Sequence, residues 1–264
     1  ASAISVVVTE NVTGATALIG AGYKSAKAVE AKIGDKYFTT LEDALAAEGN
    51  KVELLVPYVV ADDGEIVLDL KGKTVTGTPS EAKAYSAITN NGNLTIINGT
   101  LLCNHTLTGS TGYAVNTITN CGILTIDGAT IQNTSTASNQ IGYAIDNNST
   151  QTNAIVTIKS GNVAASGSNY YDGIRQFCNS LTKDNSVIVK GGEVSSIWMQ
   201  NPSDGAEKNT KDVKGSISIS GGTINILSLE PSTNFQAAVT GGHVGEISYF
   251  QTATGRDLKE WSKI

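Results

Sequence analysis

One apolar register returns seven times along the chain. Taking Leu70, Ile96, Ile126, Ile158, Val189, Ile219 and Val239 as position zero, an apolar residue stands two before each: Leu68, Leu94, Leu124, Val156, Val187, Ile217 and Ala237. Another stands five after: Val75, Leu101, Ile131, Val163, Val194, Ile224 and Val244. Between them, at plus two or plus three, falls a glycine: Gly72, Gly99, Gly128, Gly161, Gly192, Gly222 and Gly242. Successive zeros lie 26, 30, 32, 31, 30 and 20 residues apart. A fixed motif at such a period implies a solenoid, whose coils bury their apolar side only by stacking on one another.

Within a repeat, the minus-two and zero positions alternate with polar residues such as Thr95, Thr125 and Thr157. Period-two alternation of Ile, Leu, Val and Thr predicts a strand buried on one face. The glycine ends it, because glycine enters positive φ without steric cost. The plus-five residue opens a second inward-facing strand. A third is expected upstream, at Ala87-Ile88, Ala114-Val115, Ala144-Ile145 and Gly173-Ile174. Three short strands per coil make an all-β, parallel β-helix of about seven coils. A helical solenoid would instead need apolar residues at three-four spacing. Stacked coils align like positions: Thr74, Thr100, Thr130 and Thr223 outside, and corner asparagines such as Asn90, Asn91, Asn120, Asn147 and Asn148 along the corners. Asn tolerates left-handed backbone and can hydrogen-bond along a stack, so these residues read as structural.

The ends of such a rod are open sheet edges and need covers. Thr39 and Glu42 have capping-box spacing, Leu41, Ala44 and Leu45 form a helical stripe, and Gly49-Asn50 ends it. Residues 31–50 are therefore expected to be a strand and capping helix, 51–251 the β-helix, and 252–264 a C-terminal cap with Trp261 on the last coil. Residues 1–30 carry no repeat, although Ser5 to Thr9 is a strand candidate. Their apolar residues Val6, Val7, Val8, Leu18 and Ile19 have no coil to cover, which makes this segment the expected docking element.

The net charge is −6, and only Arg175 and Arg256 are arginines, so no basic patch for nucleic acid is present. No apolar run reaches membrane-spanning length. Cys103, Cys121 and Cys178 lack metal-ligand spacing and read as buried or half-buried thiols. Hydrolysis of a polysaccharide wants two carboxylates facing one another, which on a solenoid means acids at like positions of adjacent coils. The columns flanking position zero pair no two acids, and neither arginine is expected to have an acid at a like position on an adjacent coil. His105 and His243 read as surface or corner histidines, and Asp62-Asp63-Gly64-Glu65 as a solvated turn. No catalytic residue, metal site or cofactor is expected. Tyr85, Tyr113 and Tyr143 precede the third strand in three coils, Tyr170-Tyr171 precede the fourth, and Trp198 falls beside Arg175 if Ile174 and Ile197 stack. A row of Tyr143, Tyr170, Tyr171 and Trp198 with Arg175 suits a sugar or a protein partner. The alternative is a tyrosine ladder that only closes the side of the rod.

The stretch from Lys36 to Ala47, followed by Val52-Glu53-Leu54-Leu55 and Ile66 to Val75, resembles a recurrent opening of pectate-lyase-like right-handed parallel β-helix modules. Such modules occur in surface proteins of gut bacteria and in the fibre and decoration proteins of their phages. The resemblance implies the fold over about residues 32–250, not a function, since this fold carries many roles. The expected function is a non-enzymatic structural or attachment protein on a virion surface, binding a capsid or other virion protein through residues 1–30, with host or mucosal glycan a possible ligand. A bacterial cell-surface adhesin and a polysaccharide-degrading enzyme are the alternatives. The resemblance to fibres also implies a homo-oligomer, with a trimer favoured.

Overall fold

The apolar register becomes the inner wall of a solenoid. The computed structural model describes residues 6–8, 26–106, 114–136, 141–166, 171–180, 182–200, 213–230 and 234–249. Strand accounts for 61% of the structure and helix for 3%, and the chain winds about five turns. The sequence counts seven coils because it counts rungs; rungs outnumber closed turns, since the first and last coils are open.

Three parallel faces build the rod. The first stacks β7 (Glu65–Asp69), the start of β10 (Asn93–Cys103), the start of β12 (Ile123–Asn133), β14 (Ile155–Ile158), β17 (Asn185–Val189), β19 (Gly215–Ile219) and β21 (Phe235–Val239). The second runs from β5 (Lys51–Leu54) through β8 (Thr74–Gly77), the ends of β10 and β12, β15 (Asn162–Ala165), and the starts of β18 (Glu193–Gln200), β20 (Thr223–Leu229) and β22 (His243–Tyr249). The third stacks β6 (Tyr58–Val60), β9 (Tyr85–Asn90), β11 (Val115–Asn120), β13 (Gly142–Asn148), β16 (Tyr171–Phe177) and the ends of β18, β20 and β22.

Ile96, Ile126, Ile158, Val189 and Ile219 pair rung on rung and are buried. The seven turn glycines all have positive φ, from 72° at Gly72 to 145° at Gly99. Stacking adds a second constraint: a Cβ on Gly161 would fall on the Ala129 carbonyl oxygen.

Two registers differ from the sequence reading. In the first coil Ile96 pairs with Leu68 and Leu94 with Ile66, so position zero is Leu68 rather than Leu70. Val75 still pairs with Leu101. The first coil therefore has two extra residues in its corner, where Lys71 (φ 55°) and Gly72 turn the chain and Leu70 is buried inside the bend. On the third face Ile118, not Val115, joins the column of Ile88 and Ile145. Val115 pairs with Tyr85 instead, three residues upstream of the inward isoleucine.

The amino end is closed by α1 (Leu41–Ala46), whose Leu41, Ala44 and Leu45 are buried. The cap is shifted one residue from the expected box: Thr40 Oγ1 accepts from the Asp43 amide at 3.1 Å. The Lys73 ammonium donates to the carbonyls of Ala47 (2.7 Å) and Gly49, just beyond the helix. β3 (Ala31–Ile33) pairs antiparallel with β4 (Lys36–Phe38) and with β5, a break from the all-parallel body. β1 (Val6–Val8) and β2 (Ala26–Ala28) form a parallel sheet of their own, apart from the 20-stranded sheet. At the other end Val239 is 48% exposed, because no described coil stacks on it. The expected cap at 252–264 lies outside the described residues.

Corner asparagines form a hydrogen-bonded ladder inside the rod. Asn90 Nδ2 donates to Asn120 Oδ1 (2.7 Å), Asn120 Nδ2 to Asn147 Oδ1 (2.7 Å), and Asn147 Nδ2 to Gln176 Oε1 (2.5 Å). Each carboxamide also donates to neighbouring backbone carbonyls, for example that of Ile155. The ladder begins abruptly: Asn90 Oδ1 is buried without a donor, because the rung before it holds Val60. Val60→Asn moves the missing bond rather than supplying it: the new Nδ2 can donate to Asn90 Oδ1, but the new Oδ1 becomes the donorless buried oxygen, at a position now filled by core packing. It is expected to destabilise the protein by about 1–3 kcal/mol, the cost of a buried unsatisfied polar group. The urea midpoint should fall with an unchanged slope; an unchanged or higher midpoint would mean that water reaches the residue 60 carboxamide.

Candidate functional site

The third face carries the densest group of functional side chains. Each inward isoleucine is followed by an outward residue, and these outward positions stack. Ile145, Ile174 and Ile197 pair, so Asp146, Arg175 and Trp198 stand side by side on three successive rungs. The Arg175 guanidinium grips the Asp146 carboxylate with both arms, Nε to Oδ1 at 2.7 Å and Nη2 to Oδ2 at 2.6 Å. Its central carbon sits 4.5 Å from the ring centre of Tyr143 and 4.7 Å from that of Phe177. Asn116 Nδ2 donates to Asp146 Oδ2 at 3.3 Å. Trp198 lies with its ring centre 6.4 Å from that of Tyr143 and donates through Nε1 to Glu230 Oε1 at 3.0 Å.

The pair is withdrawn from water, with side-chain exposures of 16% for Arg175 and 5% for Asp146. Burial is the largest single influence on the guanidinium and works to lower its pKa. The hydrogen bonds and charge of Asp146 more than offset it, so Arg175 sits above its ordinary value. The arrangement is a bidentate clamp between rings, and it holds one rung to the next.

This corrects the expectation that no acid stands at a like position beside Arg175, because Asp146 does. It is the residue that sequence reasoning missed. The signal was present: Asp146 follows Ile145 as Arg175 follows Ile174. The columns compared for acids were those of the first face.

Of the expected ligand row, Tyr143, Arg175 and Trp198 do come together, and Tyr143 is buried. Among the described residues the tyrosines form no continuous ladder. Tyr85 aligns with Val115, and Val115 with the rung of Gly142 and Tyr171, whereas Tyr143 aligns with Asp172. Tyr113 and Tyr170 lie outside the described residues, as do Leu18 and Ile19 of the expected docking set; Val6, Val7 and Val8 form β1. His105 is buried rather than at the surface, beside the Cys103–Thr134 rung contact and the bond from Thr136 N to its own carbonyl. His243 is exposed, as expected. The Asp62–Glu65 run forms an exposed turn closed by Gly64 N and Ala61 O at 2.9 Å. Among the described residues no cluster of three His, Cys, Asp or Glu side chains could hold a metal ion, and no helix is long and apolar enough to cross a membrane.

Cys103 and Cys178 are fully buried and Cys121 partly so. Burial pushes the Cys103 and Cys178 thiols up to about 12. The sign of the linked effect follows. In the unfolded chain these thiols lose their protons near pH 9, and in the native state they hold them to about 12. Stability is therefore intact below pH 9 and falls as pH rises above it, by up to about 1.4 kcal/mol per pH unit per thiol. Urea midpoints at pH 8 and 10.5 should show the loss, and Cys103→Ala should flatten it relative to wild type.

Searches of protein families, curated proteins and solved structures find no match to this chain. Its assignment therefore stands on its own architecture: the chain is a parallel β-solenoid.

Proposed function

We propose that the chain is a non-enzymatic structural and attachment protein, a stiff rod displayed on a surface. The observation that carries this reading is where its buried polar groups go. The asparagine ladder and the Arg175–Asp146 clamp join one rung to the next, which suits a part that must stay rigid. Such a rod fits a virion fibre or decoration protein, and equally a bacterial surface adhesin. The separate β1–β2 sheet supports a docking role for residues 1–30. The proposed assembly is a homo-oligomer, a trimer by likeness to fibres.

The test compares the full chain with one lacking residues 1–30. The full chain is expected to sediment as a trimer without cleaving pectin or alginate. The truncated chain is expected to keep its β-sheet circular dichroism and sediment as a monomer. A monomeric full chain would remove the assembly role of the segment. New reducing ends or unsaturated products, lost on mutating one acid, would remove the non-enzymatic reading.

A further inference from the structure

A groove of about 450 Å³ lies at the corner between the third and first faces. Unequal corner lengths create it. Residues 61–64 make the first corner and residues 149–154 the fourth, but the two between are reduced to 91–92 and 121–122. Both short corners end in glycine, and both need it. A Cβ on Gly92 would strike the carbonyl oxygens of Ala61 and Gly64, and one on Gly122 would strike that of Gly92. The floor is thus two stacked tight turns, walled by the Asp62 turn on one side and the loop from Ser149 to Thr152 on the other.

The far wall is pinned before any ligand arrives. Ser149 Oγ accepts from the amides of Gln151 (3.2 Å) and Thr152 (3.1 Å), and the Thr152 hydroxyl donates to the Cys121 carbonyl below. Asn179 Nδ2 donates to Asn148 Oδ1 at 2.9 Å, bracing the loop from the next rung. Such pre-ordering lowers the entropy lost on binding.

Hydrogen-bonding capacity is left over. The Gln151 carboxamide makes only a 3.4 Å contact with its neighbour Thr150. The Asp62 carboxylate and the Asn91 carboxamide stand at the groove with no side-chain hydrogen bond among the described residues. Donors and acceptors are mixed, one carboxylate is present, and no Lys or Arg lines the groove. A phosphate, sulfate or uronate would meet repulsion there and no counter-charge. A peptide would find no apolar pocket for an anchoring side chain. A neutral polyhydroxylated ligand matches, because every hydroxyl both donates and accepts. The volume falls within the roughly 300–1,000 Å³ of small-ligand sites.

We infer that this corner groove binds a neutral oligosaccharide. With no aromatic ring among its lining residues, it holds the sugar edge-on by hydrogen bonds, with the modest affinity of a single subsite. The site is separate from the Arg175 cluster, none of whose residues lines it.

The test is saturation-transfer NMR on the full chain with maltotriose, cellotriose, N-acetylchitotriose and trigalacturonate at millimolar concentration, and with a pool of short peptides. At least one neutral trisaccharide is expected to give transfer, and trigalacturonate none. Asn91→Ala should weaken binding about tenfold. Thr150→Trp, a change at the exposed loop tip that fills the groove, should abolish it with circular dichroism unchanged. No transfer to any neutral sugar, transfer that survives Thr150→Trp, or preference for trigalacturonate or peptides would each overturn the assignment. A trimeric rod that binds none of these sugars would defeat this inference and leave the scaffold reading standing.

Discussion

Ile126→Asp is expected to destabilise the rod by several kcal/mol, a large share of the roughly 5–15 kcal/mol that holds a domain folded. Ile126 is fully buried between Ile96 and Ile158, at the middle of the three stacked isoleucines of the first face. A carboxylate there has apolar neighbours on both rungs and no donor in reach. It can survive only protonated, so its folded pKa must rise above the unfolded value near 3.9. The sign of the pH effect is then fixed. The variant suffers least at or below about pH 4, where the group is protonated in both states, and loses stability as pH rises from there. Urea midpoints at pH 4.5 and 7 check this, with Ile126→Val as the control at about 0.5–1.5 kcal/mol. A variant as stable at pH 7 as at pH 4.5 would place residue 126 in water and undo the register.

That register was legible because a solenoid is close to a one-dimensional code. Inward positions repeat at fixed offsets, so Ile126 and Ile158 can be matched without knowing the rest of the fold. The errors fall where a local signal has two solutions. Leu68 and Leu70 both fit an alternating strand, and only pairing with Ile96 decides between them. Ala114-Val115 resembles Ala87-Ile88 more closely than Thr117-Ile118 does, yet Ile118 is the residue that stacks. The asparagine ladder was visible as a column of corner residues. The buried His105 was not, since a lone histidine beside a strand end carries no pattern that distinguishes inside from outside. The groove was hidden for a different reason. It is made by differences between corners, and a search for what repeats passes over what varies.

Asp146→Ala should cost about 3–5 kcal/mol, as expected when one partner of a buried ion pair is removed. Arg175 would keep its charge between the Tyr143 and Phe177 rings, with Gln200 Oε1 at 3.4 Å as a weak remaining acceptor. Asn116 would lose one of its two acceptors, keeping Thr119 Oγ1 at 3.1 Å. The pair itself is not expected to add that much stability, because withdrawing two charges from water offsets most of their attraction. The double variant Asp146→Leu, Arg175→Met separates the two statements. It removes both charges and fills similar volume, and it should unfold within about 1–2 kcal/mol of wild type. A strongly destabilised double variant would mean that the clamp sets the rung-to-rung alignment, so that Tyr143 and Trp198 lose their packing with it. An Asp146→Ala protein as stable as wild type would mean that water reaches Arg175, and that the cluster is an open surface able to take a charged ligand.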